Sequence, residues 1–218
     1  MPIGREHSLR DPWESLRIET PRLVLRLPTV GELHELAALA RAGVHDPAEM
    51  PFVLAWTDRA HLPSFDHEFV DFHLEARRDA RPADWRLELG VFLDGTPVGV
   101  QGLHGEQLSR RREVQTGSWL GVRHQCAGIG TEMRTAVLAF AFETLGPRAA
   151  YSAAWVGNHS SLRVSRKLGY VDVGSRTASP RGEPLEHRVL RLDDVNFHRR
   201  IPVTVFGAEG LLPSLGAV

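Results

Sequence analysis

Gln125-Cys126-Ala127-Gly128-Ile129-Gly130-Thr131-Glu132-Met133 follows the apolar, strand-like run Ser118-Trp119-Leu120-Gly121-Val122 and opens a long apolar stretch of helical spacing, Met133 to Leu145. Strand, glycine loop and helix, in that order, aim unpaired backbone N–H groups at an anion. The glycines let a ligand approach the main chain, and the helix dipole favours negative charge at that end. The segment therefore reads as a grip for a phosphate-bearing ligand. Two nucleotide readings fail on spacing. A P-loop follows its glycines with Lys and then Ser or Thr, and no Lys follows Gly128 or Gly130. A dinucleotide fingerprint needs a third glycine, G-x-G-x-x-G, and position 133 is Met. What remains is Gln, two residues of any kind, Gly, any residue, Gly, met by Gln125, Gly128 and Gly130.

Two further stretches flank the loop. Thr20-Pro21-Arg22-Leu23-Val24-Leu25-Arg26 lies near the start, and Asn158-His159-Ser160-Ser161-Leu162-Arg163-Val164-Ser165-Arg166-Lys167-Leu168-Gly169-Tyr170 comes after it. The three together resemble the opening strand, pyrophosphate loop and cofactor-arm motif of the GNAT superfamily of N-acetyltransferases, in its Rim-type, ribosomal-protein N-acetyltransferase branch. The resemblance runs from about Thr20 to Leu192 and departs at Cys126, where the branch usually carries Gly. It implies an α/β (α+β) fold, a mixed but mostly antiparallel sheet of about seven strands flanked by helices. It also implies a V-shaped splay between the fourth and fifth strands that admits the pantetheine arm of coenzyme A.

Composition sets the outer limits. The 218 residues suit a single domain (1–218), with a core over about 20–192, an N-terminal extension 1–19 and a C-terminal tail 193–218. Lys and Arg number 26 against 27 Asp and Glu, which leaves no net charge to hold nucleic acid or an anionic membrane. One Cys excludes an internal disulfide framework and a Cys-based zinc site. None of the 11 histidines falls in H-E-x-x-H or another tight ligand spacing, so no metal is expected. Met1 to Asp11 is charged and carries no signal-like apolar run, and no apolar stretch is long enough to span a bilayer. A cytoplasmic location is expected.

Periodicity outlines the elements. Arg22 to Leu27 alternates as a strand. Thr29 with Glu32 makes a capping box for a helix to about Ala42, with Leu33, Leu36, Ala37, Leu39 and Ala40 inward and Gly43 as its stop. His45 to Pro63 is irregular, and Ser64 to Ala80 is a second helix. Trp85 to Leu93 and Thr96 to Leu103 form a hairpin about Asp94-Gly95. Strands at Glu113–Val122 and Ala149–Trp155 bracket the phosphate helix; Ser160 to Leu168 is a helix closed by Gly169, and Tyr170–Arg176 with Arg188–Leu192 a last hairpin. Ile201 to Phe206 reads as one more short strand.

The resemblance assigns the chemistry. Main-chain groups of Trp119, Leu120, Gly121 and Val122 would pair with pantetheine along the exposed strand edge. Gln125, Cys126, Ala127, Gly128, Ile129, Gly130 and Thr131 would bind the pyrophosphate. Thr131 reads equally as a helix N-cap, Gly121 as a packing glycine, and Glu132 as a structural residue of the first turn. Asn158 would face the cofactor arm or cap its helix. Ser161 would protonate the departing thiolate, and Tyr170 would pack the core. An amine acceptor must lose a proton, and Glu106, Glu113, Glu183, Glu186, His104 and His187 are available; the branch often has an acid where Glu186 stands. Cys126 reads as a loop residue, with no base to pair it. The acceptor wall would come from Phe52, Trp56, His61, Phe65 and Phe69.

The expected activity is acyl transfer from an acyl-CoA to a primary amine by direct attack, the oxyanion held by a main-chain N–H near Leu120 or Val122. Acetyl-CoA is the default donor. Gly43-Val44-His45-Asp46-Pro47, Met50-Pro51-Phe52 and Gly117-Ser118-Trp119-Leu120-Gly121 resemble an actinobacterial offshoot of the branch, which implies succinyl-CoA as the alternative. His104, Arg110 to Arg112 and Gln115 are candidate partners for its extra carboxylate. The acceptor, a protein N-terminus, a lysine or a small molecule, stays open. Two rival readings stand beside the enzyme: a non-catalytic CoA-binding sensor, and an oligomerisation module using the apolar tail Ile201 to Val218, so a homo-oligomer is possible.

Overall fold

A computed structural model describes residues 12–217; the charged opening Met1 to Asp11 and the final Val218 lie outside the described residues. The elements in chain order are α1 (Pro12–Ser15), β1 (Arg17–Glu19), β2 (Leu23–Arg26), α2 (Val30–Arg41), α3 (Phe65–Arg78), β3 (Asp84–Leu93), β4 (Thr96–Glu106), α4 (Leu108–Arg111), β5 (Glu113–Leu120), α5 (Ile129–Phe140), β6 (Ala149–Trp155), α6 (His159–Lys167), β7 (Val171–Ala178), β8 (Leu185–Asp193) and β9 (Thr204–Phe206). They build one nine-stranded sheet in the order β7-β8-β6-β5-β4-β3-β2-β1-β9. Every neighbouring pair is antiparallel except β5 and β6. That one parallel pair needs a crossover, and α5 supplies it.

The mostly antiparallel α/β architecture is the expected one, and the strand count is the difference. β1 is only three residues long, too short for a period-2 signal, and β9 pairs with it at the sheet's edge. The splay consequently lies between the fifth and sixth strands in chain order. The end of the tail belongs to the core: Leu211 and Leu215 are fully buried there, and the Trp85 indole donates to the Leu215 carbonyl (2.8 Å).

Two apolar layers sandwich the sheet. On one face α5 packs Met133, Val137 and Phe140 against Leu25, Leu87 and Leu89. On the other, Leu33, Leu36, Phe65 and Phe69 of α2 and α3 pack over Val100. The α2 capping box forms as read, Glu32 N–H donating to Thr29 Oγ1 (3.3 Å) and Thr29 N–H to Glu32 Oε2 (2.8 Å). The same carboxylate takes both arms of Arg26 (2.6 and 2.8 Å), which holds it down at about 2. The hairpin turn uses positive φ at Asp94 (50°) and Gly95 (78°), as a type I′ turn requires. No helix among the described residues is long and apolar enough to cross a membrane.

Candidate active site

β5 and β6 pair only from Glu113–Ala149 to Thr116–Ser152. Beyond that point they part, because β5 runs on towards the glycine loop while β6 bends into α6. The wedge between them is a cavity of about 450 Å³. Gly117 and Ser118 line one wall, Ala153 and Ala154 the other, and Asn158 and Ser161 lie at its end. Asn158 Oδ1 accepts from the Ser161 N–H (3.0 Å), so Asn158 caps α6 and also faces the wedge. The bond uses the Ser161 main chain, and its hydroxyl has no protein partner among the described residues.

The glycine loop sits at the open end of the wedge. Gly128, at φ 80°, is the N-cap of α5, and Cys126 shares its left-handed conformation at φ 60°. Consecutive main-chain N–H groups in such a turn form an anion-binding concavity. From Cys126 to Gly130 these groups donate to no acceptor among the described residues. The flanking amides are engaged, Gln125 with the Val122 carbonyl (3.2 Å) and Thr131 with that of Gly128 (3.1 Å). Thr131 therefore lies inside the helix and is not its cap. The Gln125 side chain turns inward, donating to the carbonyls of Val44 (2.7 Å) and Leu120 (2.9 Å). Arg22 braces the loop by bonding the Ala127 carbonyl (3.2 Å) and Glu132 (2.6 Å), which also accepts from Thr20 (2.7 Å). This ties the T-x-R motif to the loop and gives Glu132 the structural role read for it.

The strand edge divides differently from expectation. The Gly121 N–H donates to Val98 (3.1 Å) and that of Val122 to Gly43 (2.9 Å), so neither amide is free for a ligand. β5 has ended at Leu120, and the chain there folds back onto the end of α2. Gly121 is a packing glycine: a Cβ would lie 2.5 Å from Leu39 Cδ1. Peptide groups alternate sides along a strand. Since the Gly121 amide points at β4, that of Trp119 does too, and those of Ser118 and Leu120 point into the wedge. The Trp119 ring turns to the opposite face, against Trp56 (5.6 Å) and Phe69 (6.1 Å).

Arg134, which sequence reading passed over as part of an apolar helix, reaches the wedge from α5. It is 4% exposed, bonded to the hydroxyls of Ser118 (3.0 Å) and Ser152 (3.3 Å), with Nε unpaired and no carboxylate beside it. Burial lowers its pKa. Tyr170 is buried as expected, its hydroxyl 3.3 Å from Thr116 Oγ1.

A second cavity, about 530 Å³, opens beneath α3 and meets the first along Gln115 to Ser118. Its walls are Phe52, Trp56, Phe65, Phe69, Phe72 and Trp119. Glu88 of β3 faces it beside Gly102, and burial pushes its carboxyl up to about 7. Sequence reading missed Glu88 because Arg86 and Glu88 alternate with Trp85, Leu87 and Leu89 as a solvent face would. The glycine opposite it on the hairpin, Gly102, was the available signal. The bases considered earlier are placed elsewhere or occupied. Glu186 is a half-exposed edge carboxylate 3.7 Å from Arg188 and lines neither cavity. His104 is bonded to Asp84 (2.7 Å), Glu113 accepts from the Tyr151 hydroxyl (3.3 Å), and Glu106 pairs with Arg111. His187 is buried with Nε2 unpaired. His61 bonds the Asp58 carbonyl (2.7 Å) and lines neither cavity. Arg110 to Arg112 lie on and after α4, away from both.

A splayed parallel pair, a main-chain anion grip at its mouth and a second cavity meeting it at the strand edge make up the candidate site. The sequence profile described as "Acetyltransferase (GNAT) domain" matches residues 22–171, and the chain belongs to that family. It is 30% identical over 100 residues to YdaF of Bacillus subtilis (strain 168), a candidate ribosomal N-acetyltransferase; the match covers 42% of this chain and 54% of YdaF. The chain thus spans about half the length of that curated relative. Among solved structures it resembles Mycobacterium smegmatis RimJ in complex with CoA-disulfide (TM-score 0.64, 16% identity, 92% of this chain and 95% of that one). It also resembles a candidate ribosomal-protein-serine acetyltransferase from Vibrio cholerae (TM-score 0.62, 24% identity, 81% and 97%).

Proposed function

We propose that the protein transfers an acyl group from an acyl-CoA to a primary amine by direct attack, with no acyl-enzyme intermediate. The observation that carries this is the unpaired run of N–H groups from Cys126 to Gly130, open to the mouth of the wedge. In this reading those amides and the α5 dipole hold the diphosphate. The wedge takes the pantetheine, and the Leu120 N–H receives the thioester oxygen as it becomes an oxyanion. Ser161, with its free hydroxyl, protonates the leaving sulfur. In this reading Glu88, which lines the cavity beneath α3, takes the proton of the incoming amine in place of Glu186.

Acetyl-CoA is the default donor. A succinyl donor is the second reading, and Arg134 favours it. A guanidinium buried without a carboxylate is poorly compensated, and a carboxylate on the donor's tail would supply the missing partner. The relatives' names point to ribosomal proteins as their acceptors; here the acceptor is a primary amine.

A thermal-shift and thiol-release panel with CoA, acetyl-CoA and succinyl-CoA tests the proposal. Ligand at a hundred times its Kd stabilises by about 2.7 kcal/mol. Gly128→Val should abolish that shift, since Gly128 holds φ 80°, which a β-branched residue strongly disfavours. A sensor would bind CoA but release no thiol with any amine. No shift with any of the three ligands would sink both readings.

A further inference from the structure

Glu88 has no hydrogen-bond or ion-pair partner among the described residues, although it faces an aromatic cavity. Three of the polar groups around it are committed. Arg59 is paired with Glu68 (2.8 Å) on the rim and His104 with Asp84 (2.7 Å). His73 gives Nδ1 to the Phe69 carbonyl (2.8 Å), and burial keeps it neutral, at about 4. Arg86, two residues along the strand, is exposed where it lines the cavity; its charge acts on Glu88 through space, with no bond between them. So the cavity offers the Glu88 carboxylate and the unpartnered His73 Nε2 as acceptors among rings, only the first of them charged, and ring faces themselves attract cations. Its volume suits a ligand of drug-like or smaller size. The complement to such a wall is a cation on an apolar body.

We infer that this cavity is the acceptor site and that it selects a primary amine carried on an aromatic or bulky aliphatic group, with Glu88 as the counter-charge to its ammonium. The inference rests on the acyl-transfer reading above. The chemistry balances as follows. The ammonium gives one proton to the Glu88 carboxylate, and its lone pair then forms the C–N bond at the thioester carbon. The C–S bond breaks, and the sulfur leaves with its electron pair and takes a proton from Ser161. Ser161 regains that proton from the nitrogen, and Glu88 releases its own to solvent. A free arylalkylamine and a peptide beginning with an aromatic residue share this chemistry. A small polar amine does not, nor does a chain beginning with Ser or Ala.

Calorimetry on the full chain, without CoA, would use four probes: tryptamine, its alcohol analogue tryptophol, ethanolamine, and a heptapeptide amide with N-terminal Phe. Tryptamine or the peptide should bind at least tenfold more tightly than tryptophol and ethanolamine, and whichever of the two binds identifies the source. Glu88→Gln should remove at least tenfold of that affinity, leave tryptophol unchanged and leave the Kd for acetyl-CoA unchanged. Tryptophol binding as tightly as the amine probe that binds, or equal binding of that probe by parent and Glu88→Gln, overturns the inference, as does binding of neither amine probe by a protein that still binds acetyl-CoA. Loss of acetyl-CoA binding by the parent overturns instead the reading on which it rests.

Discussion

A carboxylate set against aromatic rings without a cation is destabilising in its charged form, and it answers by holding its proton. Glu88 does so up to about 7, against an ordinary value of 4.5. The sign of its effect on stability follows. The folded state binds this proton more tightly than the unfolded chain, so the stability it confers is present at low pH and lost as pH rises from 4.5 through 7. Glu88→Gln should therefore unfold at higher denaturant than the parent at pH 8, by about 1–3 kcal/mol, with the gap closing by pH 4. Its kcat/KM should lose the acidic limb near pH 7 that the parent shows. Chemical denaturation at the two pH values and a pH–rate profile read both. Ser161 differs in kind. Its capping bond uses the main chain, so Ser161→Ala should leave the melting temperature and the Kd for CoA unchanged while slowing turnover by up to about 10²-fold. Full activity in that variant removes the acid assignment.

At the scale of elements, what could be read from the chain was what local chemistry decides. Thr29 and Glu32 determine where α2 starts and Asp94-Gly95 where the hairpin turns, whereas α5, whose cap was read at Thr131, begins at Gly128. What could not be read depends on which strand lies beside which. The Val122 amide, read as free for the cofactor, is taken by the Gly43 carbonyl just past α2, and α3 covers the strand that carries Glu88. Gly117 combines the two kinds of information. It sits inside β5, where glycine weakens a strand, and a Cβ there would meet nothing within 4 Å. The empty space is the junction of the two cavities. Gly117→Val should leave stability equal or raise it by up to about 1 kcal/mol while abolishing transfer, because its methyls would occupy the place where the proposed reading brings amine and thioester together. A thermal melt beside a turnover assay decides it, and an active Gly117→Val enzyme would mean that the groups meet elsewhere.

Across the whole molecule, the two cavities depend on parts of the chain far from the glycine loop. The segment from His45 to Pro63 roofs both, and Arg181 in the loop between β7 and β8 clamps it by gripping Asp58 (2.6 and 2.8 Å) and the Pro47 carbonyl (3.0 Å). At the other end of the sheet the tail closes the core. Leu215 is fully buried, its carbonyl takes the Trp85 indole N–H, and Trp85 lies near the start of the strand that carries Glu88. A tail available for a partner would leave Leu215 replaceable. A tail that belongs to the core makes its truncation a cavity, which costs about 2–5 kcal/mol for Leu→Ala. Leu215→Ala should accordingly lower stability by that amount at every protein concentration, whereas an oligomer contact would show a loss that shrinks as concentration rises. Because Trp85 and Glu88 share β3, the variant should also weaken amine binding more than CoA binding, whose loop hangs on Arg22 and α5. Denaturation at two protein concentrations, with both ligands titrated, separates these outcomes.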